Sequence, residues 1–481
     1  MKFLTAITFL LLFLIFSPLL YAVTKTDYPL LGGDTSRTGQ VLGNGPGTPK
    51  VFWTYTHQEW NKKFPQGSEY QGAQAAYSVV KNGVVYNTIG HFILALDLKT
   101  KQEKWLFDAK DKIDLSAKGY SLAAGDRFLI FTIKGEIVAL DLETGNLAWR
   151  YKTETSFSHS IPLVVNSTVF VGDDAGFIYA IDEKSGKEIW KKDLQAKEIH
   201  SSPAFGEGLI FIGTEGNLDL KTANEIESFM YALNFESGET MWRFPIKKVS
   251  ARGSGYQDLI HATASYKDGK IYFGIENGRY YSLDAKTGQL IWEKSGFGWF
   301  TTASSLDEEN IYTGNWDGNI YAFKQADGAL IWKYQAEKDG PFEIIKKPGG
   351  GTEKQGINSW PIVTNSKVFI GAPNGYFYAL GKKDGSVIWK EKYGMAWPVM
   401  AEEILIIPNH PPQDALRGEM IVAISEKTPS TISTLFPFQT QLNFENKLMW
   451  KTVAIFLLIV GIGGMIIFWG KRILTKNFKK T

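Results

Sequence analysis

One short motif recurs seven times along the chain and constrains its fold more than any other feature. Residues 139–149 read as a strand that ends at Asp141, a tight turn that contains Gly145, and a second strand that carries Trp149. A glycine at the end of such a turn supplies the left-handed backbone conformation that other residues adopt only at a cost. The other six copies end at Trp105, Trp190, Trp242, Trp292, Trp332 and Trp389. Regular self-similarity of this kind predicts a repeat architecture.

Each repeat provides three predicted strands followed by the tryptophan strand. The strand signals in one unit are 161–165, 168–172, 177–181 and 188–191, separated by Asn, Asp, Ser and Gly clusters. The last unit, near 400–425, lacks its tryptophan strand, whereas the strand around Trp53 has no hairpin before it. Pairing these two ends would close a ring and leave no open sheet edge. We therefore predict an all-β fold, an eight-bladed β-propeller closed by its N-terminal strand.

The motif resembles the tryptophan-docking motif of the pyrroloquinoline-quinone (PQQ)-type propeller repeat. That superfamily includes quinoprotein alcohol dehydrogenases and the lipoprotein of the outer-membrane barrel-assembly machinery. The resemblance implies that each tryptophan packs between blades, over the glycine of a neighbour, and is structural. The implied docking residues are Trp53, Trp105, Trp149, Trp190, Trp242, Trp292, Trp332 and Trp389.

Composition excludes several classes of site. The chain has no cysteine, which rules out disulfides, thiolate metal ligands and a cysteine nucleophile. Its formal net charge is only +2, so no strong positive field is available to attract nucleic acid.

Both termini carry targeting signals. Residues 1–22 predict a secretory signal peptide, with an uncleaved anchor as the alternative because Leu20 is large for a cleavage site. Residues 449–470 contain an uncharged apolar run long enough to cross a bilayer, and the tail at 471–481 is basic. We therefore expect the propeller at 23–426, then a linker at 427–448 and a single transmembrane helix. The basic tail would be cytoplasmic and the propeller extracytoplasmic, either periplasmic or on the cell surface.

The long connections between predicted strands collect at one end of the ring. Strand direction places the connections 108–118, 245–258, 335–357, 214–227 and 408–417 on one face, whereas the turns of the other face are short. Long insertions on one face of a repeat ring are typical of its working surface. We call this end the loop-rich face and the other end the short-turn face.

Residues that open the inner strands should ring the channel mouth on the loop-rich face. The predicted binding residues there are His159, His200, Asp258, His261, Trp360 and Trp397. Because the three histidines lie on separate blades without the short spacings of common metal sites, we predict hydrogen-bonding residues in a wet channel and no metal.

Two functions of different classes fit these features. The first is a non-catalytic scaffold that binds a protein partner or small ligand through the loop-rich face and is held at the membrane by the C-terminal helix. The alternative, implied by the resemblance, is a dehydrogenase that uses PQQ and Ca²⁺, although the cysteine pair, the calcium ligands and the catalytic aspartate of that family find no match here. A sensor that signals through its single helix is disfavoured, because the tail after Gly470 has only eleven residues.

Overall fold

The described residues of this computed structural model form a ring of eight four-stranded antiparallel sheets and one additional hairpin. They are residues 27–426 apart from 69, 72, 110–121, 158, 217–227, 247–258, 343, 347–351 and 409–417. The predicted eight-bladed β-propeller is thereby confirmed.

The first four blades follow the chain from the inner to the outer strand. Blade 1 contains β2 (Ala75–Lys81), β3 (Val84–Ile89), β4 (Phe92–Asp97) and β5 (Glu103–Asp108). Blade 2 contains β6 (Ala123–Ala124), β7 (Phe128–Ile133), β8 (Glu136–Asp141) and β9 (Leu147–Lys152). Blade 3 contains β10 (Leu163–Val165), β11 (Thr168–Gly172), β12 (Phe177–Asp182) and β13 (Glu188–Asp193). Blade 4 contains β14 (Ala204–Gly206), β15 (Leu209–Gly213), β16 (Phe229–Asn234) and β17 (Thr240–Pro245).

The remaining blades repeat this order until the last one. Blade 5 contains β18 (Ser265–Lys267), β19 (Lys270–Gly274), β20 (Tyr280–Asp284) and β21 (Leu290–Lys294). Blade 6 contains β22 (Ser305–Leu306), β23 (Asn310–Gly314), β24 (Asn319–Lys324) and β25 (Leu330–Gln335). Blade 7 contains β28 (Ile362–Val363), β29 (Lys367–Gly371), β30 (Phe377–Gly381) and β31 (Val387–Glu391). Blade 8 contains β32 (Val399–Ala401), β33 (Ile404–Pro408), β34 (Glu419–Ile424) and β1 (Val51–Thr56).

Blade 8 closes the ring with the N-terminal strand. Strand β1 pairs antiparallel with β34, and Trp53 lies opposite Ala423. Because the outer strand of the last blade comes from the other end of the propeller sequence, the two ends of that sequence are held together by backbone hydrogen bonds within blade 8.

The docking tryptophans lock neighbouring blades by a repeated hydrogen bond. Seven indole Nε1 atoms donate to a carbonyl in the next blade, at the residue that follows the Asp position of the motif. The pairs are Trp53–Leu98 (2.8 Å), Trp105–Leu142 (3.0 Å), Trp149–Glu183 (2.8 Å), Trp190–Phe235 (3.1 Å), Trp242–Ala285 (2.9 Å), Trp292–Gln325 (2.9 Å) and Trp332–Lys382 (2.9 Å). The eighth, Trp389, donates instead to Pro46 at 3.1 Å, because blade 8 has no hairpin of this type.

At six of the seven hairpins the motif glycine lies against the tryptophan ring of the preceding blade, and in the first hairpin Lys101 takes its place with φ 62°. Gly238 has φ +68°, and a Cβ at this position would lie 2.7 Å from the Trp190 ring. Thus both the backbone conformation and the close approach of the indole exclude a side chain.

Residues 28–46, here called the plug segment, cross the inside of the ring near the short-turn face. The sequence has little periodicity in this region, yet backbone hydrogen bonds to the inner strands of six blades order it. The backbone pairs are Tyr28 with Val80 (2.9 Å), Pro29 with Ala124 (2.6 Å), Thr35 with Phe205 (2.8 Å), Ser36 with Tyr266 (2.8 Å), Thr38 with Leu306 (2.7 Å) and Val41 with Val363 (2.9 Å). The segment therefore blocks the channel from that side.

The elements added to the propeller lie in connections of the loop-rich face. Helix α1 (His57–Asn61) lies between β1 and β2 and begins with a capping box made by Thr56 and Glu59. A 3₁₀-helix (Ala336–Asp339) and a hairpin of β26 (Ile344–Lys346) and β27 (Thr352–Lys354) lie between blades 6 and 7. By contrast, no turn on the short-turn face has more than five residues between its strands.

The predicted signal peptide, linker, transmembrane helix and basic tail lie outside the described residues. Within the part of the chain that the structure describes, no helix is long and apolar enough to cross a membrane.

Candidate functional site

The structure brings five of the six sequence-predicted binding residues to one cavity at the axis of the ring. His159, His200, His261, Trp360 and Trp397 line a cavity of about 60 Å³. Asp258 lies outside the described residues. Sequence reasoning missed the other side chains of the wall, among them Leu31, Tyr77, Ser202, Thr263 and Asn358.

The three histidines occupy equivalent positions in blades 3, 4 and 5. Each lies four residues before the inner strand of its blade, which begins at Leu163, Ala204 or Ser265. The strand starts two residues later than predicted in blade 3, because the Ile161 amide donates to Ser202 Oγ (3.0 Å) instead of a strand partner.

Hydrogen bonds between blades hold these positions relative to one another. The bond from Ile161 to Ser202 joins blade 3 to blade 4, and the Ser202 amide donates to Thr263 Oγ1 (3.0 Å), which joins blade 4 to blade 5. Within blade 4, Ser201 Oγ accepts from the Gly213 amide at 2.9 Å. The histidine-bearing segments are thus anchored on both sides by short polar contacts.

The histidine rings form a compact triangle. The ring centroids of His159 lie 4.6 Å from those of both His200 and His261, and the latter two are 5.1 Å apart. One ligand nitrogen from each ring can be chosen so that all three lie within 4.8 Å of one another.

Carboxylates surround two of the three rings. Glu215 Oε1 lies 2.8 Å from His200 Nδ1 and 3.3 Å from His261 Nδ1, and Glu276 Oε1 lies 3.5 Å from the same His261 nitrogen. On the other side of its ring, His200 Nε2 lies 3.0 Å from Glu198 Oε2. Backbone bonding between 198 and 215 brings both acids to the same imidazole.

These contacts determine the charge of the cluster. Burial disfavours a charged His200, but its bonds to Glu198 and Glu215 outweigh that effect and raise its pKa to about 10. Burial likewise disfavours an ionised Glu215, yet contact with His200 and His261 holds its carboxyl pKa far below the usual range. The bond to His200 is also the main reason that the Glu198 pKa is lowered. In this arrangement His200 is an imidazolium between two carboxylates.

The opposite wall of the cavity is aromatic and apolar. Trp397 stacks on Tyr77, with ring centroids 5.0 Å apart and an interplanar angle of 26°. Trp360 is 3% exposed, and its indole Nε1 is buried without a hydrogen-bond partner among the described residues. Leu31 of the plug segment packs in the same cluster, so the cavity has a floor supplied by the N-terminal segment.

The chain matches one protein family over most of the propeller. The model of the family of outer membrane protein assembly factor BamB matches residues 35–156, 133–228 and 226–350.

Several curated relatives are quinone-dependent dehydrogenases, matched over short segments. A quinoprotein ethanol dehydrogenase of Pseudomonas aeruginosa is 29% identical over 140 residues, which cover 25% of this chain and 22% of the relative. The dehydrogenase subunit of a quinone alcohol dehydrogenase of Gluconobacter oxydans is 39% identical over 66 residues, 14% of this chain and 9% of the relative. The matches therefore span about a fifth or less of these relatives.

Two solved structures illustrate the shared fold. BamB from Moraxella catarrhalis superimposes with a TM-score of 0.52 at 16% identity and covers 73% of this chain and 95% of its own. The quinohemoprotein alcohol dehydrogenase from Comamonas testosteroni gives a TM-score of 0.62 at 14% identity, with 81% of this chain and 77% of its own covered. At these identities the likeness concerns the propeller fold alone.

Proposed function

Because the chain belongs to the family of outer membrane protein assembly factor BamB, we propose that it is a non-catalytic binding propeller of the cell envelope. In this proposal it engages a protein partner through its loop-rich face, and the channel mouth is part of the binding surface.

The proposal rests on the difference between the two faces of the described propeller. The short-turn face has tight turns, and the plug segment blocks the channel from that side. Helix α1 and the hairpin of β26 and β27 are both added on the opposite face. On that hairpin Ile344 is 59% exposed, which makes it an apolar side chain available to a partner.

The test compares exposed aliphatic residues on the two faces. A photo-crosslinking amino acid is placed at position 344, on the loop-rich hairpin, or at position 147, where β9 begins at the short-turn face. Leu147 is the matched control because it is also aliphatic and 47% exposed. We expect one discrete partner to crosslink from position 344 and not from position 147 in cells of the native host.

Copurification then decides whether the contact contributes to binding. Ile344→Glu should reduce recovery of the crosslinked partner at least tenfold, and Leu147→Glu should leave it unchanged. Equal recovery with both variants, or crosslinking only from position 147, would contradict the proposal.

The same proposal places the propeller outside the cytoplasm, held by one helix at 449–470. Because the chain has no cysteine, Leu147→Cys introduces a single thiol. A membrane-impermeant maleimide should label this thiol in intact cells, or after permeabilising an outer membrane if the host has one. Labelling only after lysis of the inner membrane would contradict this placement.

The named activities of the curated relatives make a quinone-dependent dehydrogenase the alternative function. Two observations weigh against it. The cavity that the described residues enclose, of about 60 Å³, is far smaller than the roughly 300–1,000 Å³ typical of sites for cofactor-sized ligands. PQQ also carries three carboxylates, which the acids around His200 and His261 would repel.

A direct assay separates the two functions. The purified full-length chain is mixed with PQQ and Ca²⁺, and alcohol-dependent reduction of a dye is followed. We expect no turnover above that of the chain-free mixture, whereas saturable turnover would establish the dehydrogenase.

A further inference from the structure

We propose that His159, His200 and His261 form a site for one divalent transition-metal ion of the zinc class at the channel mouth. This proposal departs from the sequence-based expectation of no metal, which rested on the absence of short spacings between the histidines. The ring geometry makes sequence spacing irrelevant, because equivalent positions of successive blades meet at the axis.

The distances are those of a site that closes on its ion. One nitrogen from each histidine lies within 4.8 Å of the other two. Zn–N bonds of about 2.0–2.1 Å in a tetrahedral site require nitrogens about 3.4 Å apart. In this proposal the imidazole rings turn to close on the ion, while the interblade bonds of Ser202 and Thr263 keep the backbone in place.

The carboxylates are placed as supporting partners for such ligands. Glu215 contacts Nδ1 of both His200 and His261, and Glu276 contacts the same His261 nitrogen. With Nδ1 held in this way, Nε2 of His200 and Nε2 of His261 remain as metal ligands, and His159 supplies the third nitrogen. A carboxylate behind a metal-binding imidazole fixes its tautomer and orientation and raises its basicity.

Glu198 occupies the position of a fourth ligand. Its Oε2 lies 3.0 Å from His200 Nε2, on the side of the ring where the ion would bind. Besides the three histidines, a second group with metal-ligand spacing consists of Glu198, His200 and Glu215. An incoming cation would replace the proton shared between His200 and Glu198.

Charge and ligand type indicate which cation fits. Four acids contact the histidines, namely Asp174, Glu198, Glu215 and Glu276, and Glu198 also forms an ion pair with Lys197 at 3.1 Å. Imidazole nitrogen favours zinc, copper, nickel and iron over calcium and magnesium, which prefer oxygen. The adjoining cavity has room for water or a small anion on the ion.

The experiment uses the purified full-length chain without a polyhistidine tag, because a tag would add imidazoles. After removal of metal with a chelator and dialysis, Zn²⁺ is titrated and followed by calorimetry. We expect one equivalent of Zn²⁺ to bind per chain. His159→Ala, His200→Ala and His261→Ala should each weaken binding at least 100-fold, and Glu215→Gln about 10- to 100-fold.

His91→Ala is the matched control. His91 is also half-buried and lies 3.4 Å from a carboxylate, that of Asp108, but it is not part of the histidine triangle. Its replacement should leave Zn²⁺ affinity unchanged. An equal loss in the His91 variant, or unchanged affinity in the three triangle variants, would overturn the proposal.

Spectroscopy of the unmodified chain covers the case in which a histidine variant does not fold. The zinc X-ray absorption spectrum should show three imidazole ligands, and Co²⁺ substitution should give the visible bands of a four- or five-coordinate ion. No stoichiometric binding, fewer than three imidazoles, or displacement of Zn²⁺ by equimolar Ca²⁺ would each overturn the assignment. None of these readouts depends on the partner-binding function proposed above.

Discussion

Replacing Arg37 by methionine is expected to lower the free energy of unfolding of the propeller by about 3 kcal/mol. Arg37 lies in the plug segment, is fully buried and has a left-handed backbone φ of 59°. Its guanidinium donates to the carbonyls of Ile161 (3.1 Å), Pro162 (3.2 Å) and Pro203 (3.0 Å), and to that of Leu31. One side chain therefore joins the plug segment to blades 3 and 4.

The magnitude follows from these four bonds. A hydrogen bond from a charged donor contributes about 1.5 kcal/mol net, so four give roughly 6 kcal/mol. Burial opposes this, since it lowers the pKa of Arg37 to about 9 and so disfavours its charged form. Methionine removes the cost of burying a charged group together with the four hydrogen bonds. We therefore estimate a net loss of about 3 kcal/mol in the free energy of unfolding.

Urea denaturation of the full-length chain, followed by tryptophan fluorescence, measures this loss. Arg127→Met is the control, because the Arg127 side chain is 70% exposed and makes one ion pair, with Asp141 at 3.3 Å. Its effect should stay within about 0.5 kcal/mol. Arg37→Lys, which keeps the charge but reaches fewer carbonyls, should fall between wild type and Arg37→Met.

One result would refute the reasoning about Arg37. If Arg37→Met and Arg127→Met change the free energy of unfolding by the same amount, the guanidinium does not anchor the plug segment.

Three further predictions concern stability. Gly238→Ala should lower the free energy of unfolding, measured by urea denaturation, by about 2–3 kcal/mol, because the new Cβ would lie 2.7 Å from the Trp190 ring. The control Gly208→Ala, at a similar φ but with nothing within 4 Å of the new Cβ, should lower it by only about 1 kcal/mol. Burial disfavours an ionised Asp307, but contacts with backbone amides, a hydroxyl group and a lysine outweigh it and lower the carboxyl pKa. The contribution of ionised Asp307 to the free energy of unfolding is therefore present above about pH 4, and it disappears as the pH falls through the lowered folded-state pKa. The difference in unfolding free energy between wild type and Asp307→Asn should therefore shrink in acid; a constant difference would contradict this sign. Trp389→Phe should destabilise the propeller by about 1 kcal/mol or more in the same assay, through loss of its bond to the plug segment.

Much of the fold could be predicted because its repeating features, the hairpin turns and the tryptophan strands, are short local sequence patterns. Six of the seven hairpins carry the motif glycine, Lys101 takes its place in the first, and each tryptophan lies four residues after this position. Seven motifs and the lone strand at Trp53 together give the eight blades. The unpaired strand at Trp53 and the incomplete last unit likewise predicted closure, and β1 does pair with β34.

The plug segment could not be predicted in this way. Its residues pair with inner strands that are distant in sequence, such as Val80 and Val363, and its backbone follows the ring instead of a strand or helix period. In the sequence this segment is glycine-rich and irregular, and no local pattern marks Arg37 as a buried residue.

The histidines were recognisable by position but not by chemistry. Their equivalent places before three inner strands predicted that they would ring the channel mouth. Their contact with one another, and the approach of Glu198 and Glu215, arise only when the blades close around the axis.

The sequence therefore determined the number of blades and the site of closure, since a local motif could be counted and a strand was left over at one end and missing at the other. The resemblance to a known repeat implied that the tryptophans dock between blades. The tertiary structure decided which face of the channel is blocked and which side chains meet at its mouth. Those contacts join residues from different blades, and their distances are set by the curvature of the closed ring, which no local pattern encodes.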